Sequence, residues 1–158
     1  MTEQEITDFI YREAYLLDSM QWDAWLDLFH PEGRYWMPLE WQQQDPVLQP
    51  SLMYEDLLLL KVRIERPSGE RTFSQKPKSR CHHLLQAPQI LASDVGAGLY
   101  KVRTSYIYTE TRGDTLGRFS GWAASHELLR LGDTIEIKLK RIDLINFDAP
   151  FSNIQLFM

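Results

Sequence analysis

Three long segments near the end of the chain, Tyr100–Arg112, Leu116–Arg130 and Thr134–Leu144, read as strands, with apolar and polar residues alternating cleanly in places. Gly113-Asp114 and Leu131-Gly132-Asp133 separate them, which predicts consecutive antiparallel strands joined by tight turns. Tyr100, Val102, Tyr106 and Tyr108 share one face opposite Lys101 and Arg103, and Ile135, Ile137 and Leu139 oppose Glu136, Lys138 and Lys140. Beyond Arg141 the apolar parity passes to Ile142 and Leu144, as a bulge would produce. Arg80–Leu91 adds a further strand, bulged or at an edge where Pro88 removes a backbone donor. A long curved sheet of this kind needs a cover for one of its faces.

The first half of the chain supplies that cover. Thr2 or Thr7 is placed to cap a helix reaching about Ser19, with Ile6, Phe9, Ile10, Leu16 and Leu17 on its apolar face. Trp22, Trp25, Leu26 and Phe29 then recur at i, i+3, i+4 and i+7, predicting a second helix capped by Asp18 or Ser19. His30-Pro31-Glu32-Gly33 reads as the turn that stops it, and Tyr35-Trp36-Met37 as an aromatic strand closed by Pro38. Glu40–Pro50 is polar and aperiodic, hence a loop, and Ser51–Tyr54 a brief strand. A third helix follows in LLLLKVRIER, with Leu57, Leu60 and Ile64 on one side, ended by Pro67-Ser68-Gly69. Glu70–Lys78 is charged and irregular, the expected mobile loop. Helices first and a long sheet afterwards give an α+β fold, a cone with the helices against the concave face, spanning residues 1–158 as one domain.

Composition narrows the partners. A net charge of −5 leaves no basic face for nucleic acid or an anionic membrane, and the longest apolar run, Leu57–Leu60, is far too short to span a bilayer. The polar, acidic start MTEQEITDF is unlike a signal peptide, and a single cysteine, Cys81, fits a reducing cytoplasm. Five Trp, seven Tyr and seven Phe either build a large core or cover a neighbouring subunit. The apolar tail Ile154–Met158 is expected to be pinned to the sheet or to another chain.

Chemistry-bearing patterns are sparse. Neighbours on a strand point to opposite faces, so His82 and His83 cannot both ligate one ion without distorting the backbone. No Cys-x-x-Cys or helical His pair is present, and Gly96-x-Gly98 lacks the lysine and helix of a phosphate loop. Cys81 reads as a buried, inert thiol. One acid/base set survives: His126 on one strand, with Asp143, Tyr106 and Tyr108 on its neighbours.

The run YLLDSMQWDAWLDLFHPEGRYWMP, followed in order by SLMYEDLLLLKVRIER, SRCHHLL and RIDLINFDAPFSNIQLFM, resembles the β (small) subunits of aromatic-ring-hydroxylating dioxygenases. The chain departs from that pattern at His82-His83, where the family often has an arginine-histidine pair, and in the loop Glu40–Pro50. The resemblance implies a cone-shaped α+β fold like that of nuclear transport factor 2 and steroid-type isomerases. It implies a homotrimer of this chain holding a larger catalytic α subunit, usually as α3β3. No metal and no cofactor is then expected in this chain. The α subunit holds the Rieske [2Fe–2S] cluster and a mononuclear iron, takes electrons from a separate ferredoxin or reductase, and adds O2 to an aromatic ring. On this reading no residue here is catalytic, and Tyr35, Trp36, Trp41, Arg80, Phe151 and Phe157 are candidates for burial between chains. The competing reading is a stand-alone dehydratase or isomerase of the same fold using His126 with Asp143. A deep open cone would favour the second, a filled one the first.

Overall fold

The structure, a computed structural model, describes residues 1–40, 42–68, 79–112, 115–145, 147–148 and 157–158. The expected loop Glu70–Lys78 and the turn at Gly113-Asp114 lie outside the described residues. Helix α1 (Glu3–Asp18) opens on a capping box: Thr2 Oγ1 accepts from the Glu5 amide, and Glu5 Oε2 accepts from the Thr2 amide. Its buried stripe is Ile6, Phe9, Ile10, Glu13, Leu16 and Leu17, which sets one carboxylate among five apolar side chains. Met20, at φ 56°, closes the helix from the left-handed region; its own amide reaches Leu17 O and the next, that of Gln21, reaches Leu16 O.

The predicted second helix is shorter than its periodicity suggests. Helix α2 spans only Trp22–Leu26, with Gln21 at its start and no side-chain cap, and Phe29 already begins strand β1 (Phe29–Pro38). His30-Pro31-Glu32-Gly33 is therefore an irregularity inside a strand rather than the end of a helix. Tertiary pairing decides this: the Ile137 amide donates to Leu28 O, and the register beside it jumps from Phe29–Ile137 to Arg34–Leu139. A Cβ at Gly33 would lie 2.7 Å from Ile137 O, so the close approach requires glycine there.

Strand β2 (Ser51–Asp56) leads into helix α3 (Leu57–Ser68), whose start is capped by Asp56 Oδ1 on the Leu59 amide. Leu60 and Ile64 are buried, while Leu58 and Val62 face outward. The remaining strands are β3 (Arg80–Leu85), β4 (Gln89–Asp94), β5 (Leu99–Arg112), β6 (Thr115–Leu131) and β7 (Thr134–Leu144). Pro88 falls between β3 and β4, both of which pair with β5. The sheet order is β2-β1-β7-β6-β5-β3, antiparallel except for the parallel β1–β7 pair. Register breaks in β5–β6 and β6–β7 add the local bends that curve such a sheet.

One of these breaks corrects a sequence expectation. Opposite β6, Glu127 pairs with Leu139 and Leu128 with Ile137, leaving Lys138 as the extra residue. The parity flip thus falls between Ile137 and Lys140, before Arg141, and carries Lys140 into the core with Ile142 and Leu144. Beneath α1 and α2, Trp25 stacks at 4.8 Å on Phe157 and meets Phe29 edge-on at 5.2 Å. Tyr35 Oη donates to Met158 O and accepts from its amide, so the described end of the tail is held inside the chain.

Candidate functional site

Three elements bring ionisable groups into the space between helix and sheet. From α1, Glu13 points inward because it sits on the apolar stripe; from β6 comes His126, and from β7, one register position across, comes Lys140. All three are buried. Glu13 Oε1 accepts from Lys140 Nζ at 2.6 Å and from Trp25 Nε1 at 3.1 Å, while Oε2 lies 2.9 Å from His126 Nε2. Burial alone would push the Glu13 carboxyl up. Lys140 and His126 outweigh it and hold that carboxyl well below the usual carboxylate range.

A second carboxylate–histidine group adjoins the first. Asp18, at the end of α1, lies over the free edge of β3. Its Oδ1 meets His83 Nδ1 at 2.6 Å and the His83 amide at 3.1 Å, and its Oδ2 meets His82 Nδ1 at 2.8 Å. Residues on opposite faces of a strand converge here on one acceptor, since an edge strand lets a carboxylate sit beside its backbone. Burial lowers the His83 pKa, against the opposing pull of Asp18. Burial would raise the Asp18 pKa, but its hydrogen bonds from His83 prevail and lower it. Cys81 Sγ lies 3.7 Å from Leu17 O, and burial, followed by the nearby Asp18 charge, pushes the thiol up to about 12. Among the described residues Asp18, Cys81 and His83 bring possible metal-ligand atoms within 4.8 Å of one another. The carboxylate and imidazole are already hydrogen-bonded to each other and the sulfur stays a protonated thiol, so the group reads as structural.

These shifts predict an acid response. The unfolded chain protonates His83 near 6.5, Glu13 near 4.5 and Asp18 near 3.8, whereas the folded chain resists each. The unfolded state therefore binds more protons, and stability falls as pH drops. Urea midpoints are expected to be flat from pH 8 down to about pH 6.5, to decline below it as His83 is protonated in the unfolded chain, and to fall more steeply below about pH 4.5.

The space enclosed by the two groups is a cavity of about 20 Å³, lined by Glu13, His83, Thr104, Tyr106, His126 and Lys140 among others. It is too small for a carbon substrate. A larger opening of about 510 Å³ runs along α2 and α3, with Asp23 and Glu65 as its titratable lining. Asp143 does not join His126: it lies on the opposite face of β7 from Lys140 and accepts from Arg141 Nε and Nη2 at 2.7–3.0 Å. The acid beside His126 is Glu13, whose place on the α1 stripe was the available signal.

The interface candidates separate in the same way. Tyr35, Trp36 and Phe157 are enclosed by the chain itself; Trp36 Nε1 donates to Ser51 Oγ at 2.9 Å and its ring carries the Arg141 guanidinium at 4.4 Å. Arg80 is exposed, and Trp41 and Phe151 lie outside the described residues. Leu84 and Ile107, paired across β3 and β5, are exposed apolar side chains with no periodic signal to mark them in the sequence.

The family model for the ring hydroxylating beta subunit matches residues 12–148. The toluate 1,2-dioxygenase subunit beta of Pseudomonas putida is 31% identical over 90% of each chain. The benzoate 1,2-dioxygenase subunit beta of Acinetobacter baylyi is 33% identical over 58% of this chain and 57% of its own. Among solved structures, the beta subunit of the Burkholderia mallei benzoate 1,2-dioxygenase superposes with a TM-score of 0.78 at 26% identity, covering 99% of this chain and 98% of that one. A match through most of its length, in sequence and in fold together, makes this chain a member of the ring-hydroxylating dioxygenase β-subunit family.

Proposed function

We propose that this chain, as one domain over residues 1–158, is the structural subunit of an α3β3 oxygenase that acts on an aromatic carboxylate. Members of the family are the non-catalytic partners of a catalytic α subunit. A β trimer forms the base, and each α subunit carries the Rieske [2Fe–2S] cluster and the mononuclear iron, fed by a ferredoxin or reductase. The carboxylate class is supported by the toluate and benzoate systems to which the two curated relatives belong. A cytoplasmic setting suits a single half-buried thiol, and no helix among the described residues is long and apolar enough to cross a membrane.

The observation that carries the structural role is the filled interior. Among the described residues, the acid/base groups of the cone are bonded to one another around about 20 Å³, a space too small to hold a dehydratase or isomerase substrate between them. Arg80, Trp41 and Phe151 are the inter-chain candidates still available, and the Leu84–Ile107 pair adds an apolar contact on the outer face of β3 and β5. Native mass spectrometry after co-expression with the cognate α subunit is expected to give equal numbers of both chains in a hexamer. A free 18.6 kDa species beside uncomplexed α subunit would refute the assignment.

A further inference from the structure

Three buried polar atoms around the central cavity find no hydrogen-bond partner among the described residues: Nε2 of His83, Oγ1 of Thr104 and Nδ1 of His126. All three side chains line the same cavity of about 20 Å³. Burying such atoms unpaired costs the full desolvation of each, so a native fold that keeps three of them together calls for a common partner.

The hydrogen bonds on the far side of each ring define what that partner is. His83 directs Nδ1 to Asp18 and His126 directs Nε2 to Glu13. A neutral imidazole that donates through one nitrogen presents a lone pair at the other. Taken neutral, the two imidazoles give the cavity two acceptors beside one hydroxyl, which matches a ligand that donates twice and accepts once. Imidazoles oriented by carboxylates also suit metal ions. Here, however, the Lys140 ammonium lines the same cavity and already neutralises Glu13, so a divalent cation would be repelled and uncompensated. A space of about 20 Å³ holds one water molecule and little else.

We propose that this cavity is a binding site for a single water molecule, which donates to His83 and His126, accepts from Thr104, and joins the two carboxylate–histidine groups into one hydrogen-bonded relay. The relay runs from Lys140 through Glu13, His126, the water, His83 and Asp18 to His82. The His82 side chain is 71% exposed, so the chain of bonds ends at solvent. It links the buried carboxylates to the surface by unbroken hydrogen bonds, a property separate from any contact with an α subunit.

Joint X-ray and neutron diffraction on crystals of the full chain, soaked in deuterated water and separately in zinc chloride, tests the site. The expected result is one water oxygen within about 2.7–3.2 Å of all three atoms, its deuterons directed at His83 Nε2 and His126 Nδ1. Deuterium is also expected at His126 Nε2, and no anomalous zinc signal in the cavity. An empty cavity, a deuteron on His83 Nε2 or His126 Nδ1, or a zinc peak would each overturn the proposal.

Discussion

Replacing Glu13 with glutamine is expected to destabilise the fold by about 3–5 kcal/mol, a large share of the roughly 5–15 kcal/mol that holds a domain together. The cost does not come from losing an attractive pair in itself. A buried ion pair roughly balances its desolvation, whereas removing one partner leaves the other charge buried and unanswered. Lys140 is enclosed on β7, and Glu13 is the carboxylate it reaches, at 2.6 Å. Lys140→Met should be damaging for the mirror-image reason. The double variant Glu13→Gln/Lys140→Met should recover part of the loss, with a coupling of about 0.5–3 kcal/mol in a urea-denaturation cycle. The exposed Lys101–Glu127 pair, 3.0 Å apart across β5 and β6, serves as the control, and breaking it should cost no more than about 1 kcal/mol. Additive single-variant effects at Glu13 and Lys140 would show that the pair is not closed in the folded protein.

Trp25→Ala is expected to cost about 3–5 kcal/mol, from lost burial and the cavity left behind. Trp25 is fully buried and joins α2 to the rest of the core: its ring contacts Phe29, Tyr35 and Phe157, and its Nε1 donates to Glu13. The helix around it is only five residues long and could not persist alone, so its stability comes from this packing. Trp25→Phe, which keeps a ring and loses the N–H, should cost appreciably less. Thermal unfolding followed by near-ultraviolet circular dichroism compares the two, and equal losses would mean that the hydrogen bond to Glu13 carries the effect.

The long strands and α1 were legible because their periodicity and their packing agree. Tyr100, Val102, Tyr106 and Tyr108 face inward as their alternation requires, and Thr2 caps α1 as its position suggests. Phe29 shows where agreement ends: it continues a helical spacing, yet parallel pairing with Ile137 draws it into a strand. Lys140 shows the same at the site. Its alternation with Ile137 places it in solvent, and only the extra residue at Lys138, a property of register between two strands, turns it inward. The convergence of His82 and His83 on Asp18 was illegible for a related reason, since it depends on a helix end lying over a strand edge 64 residues away. Asp143 was drawn toward His126 by proximity in sequence pattern, but its own neighbour Arg141 holds it on the other face. Family membership was easier to read than the site, because blocks of residues in order carry it even where individual side-chain directions do not.

Iron content and turnover of an aromatic carboxylate, measured on the isolated chain and on its purified complex with the cognate α subunit, test the structural role most directly. The expected result is an iron-free, inactive chain alone and an iron-containing, active complex whose turnover survives His126→Gln in this chain. Turnover or tightly bound iron in the isolated chain would contradict it.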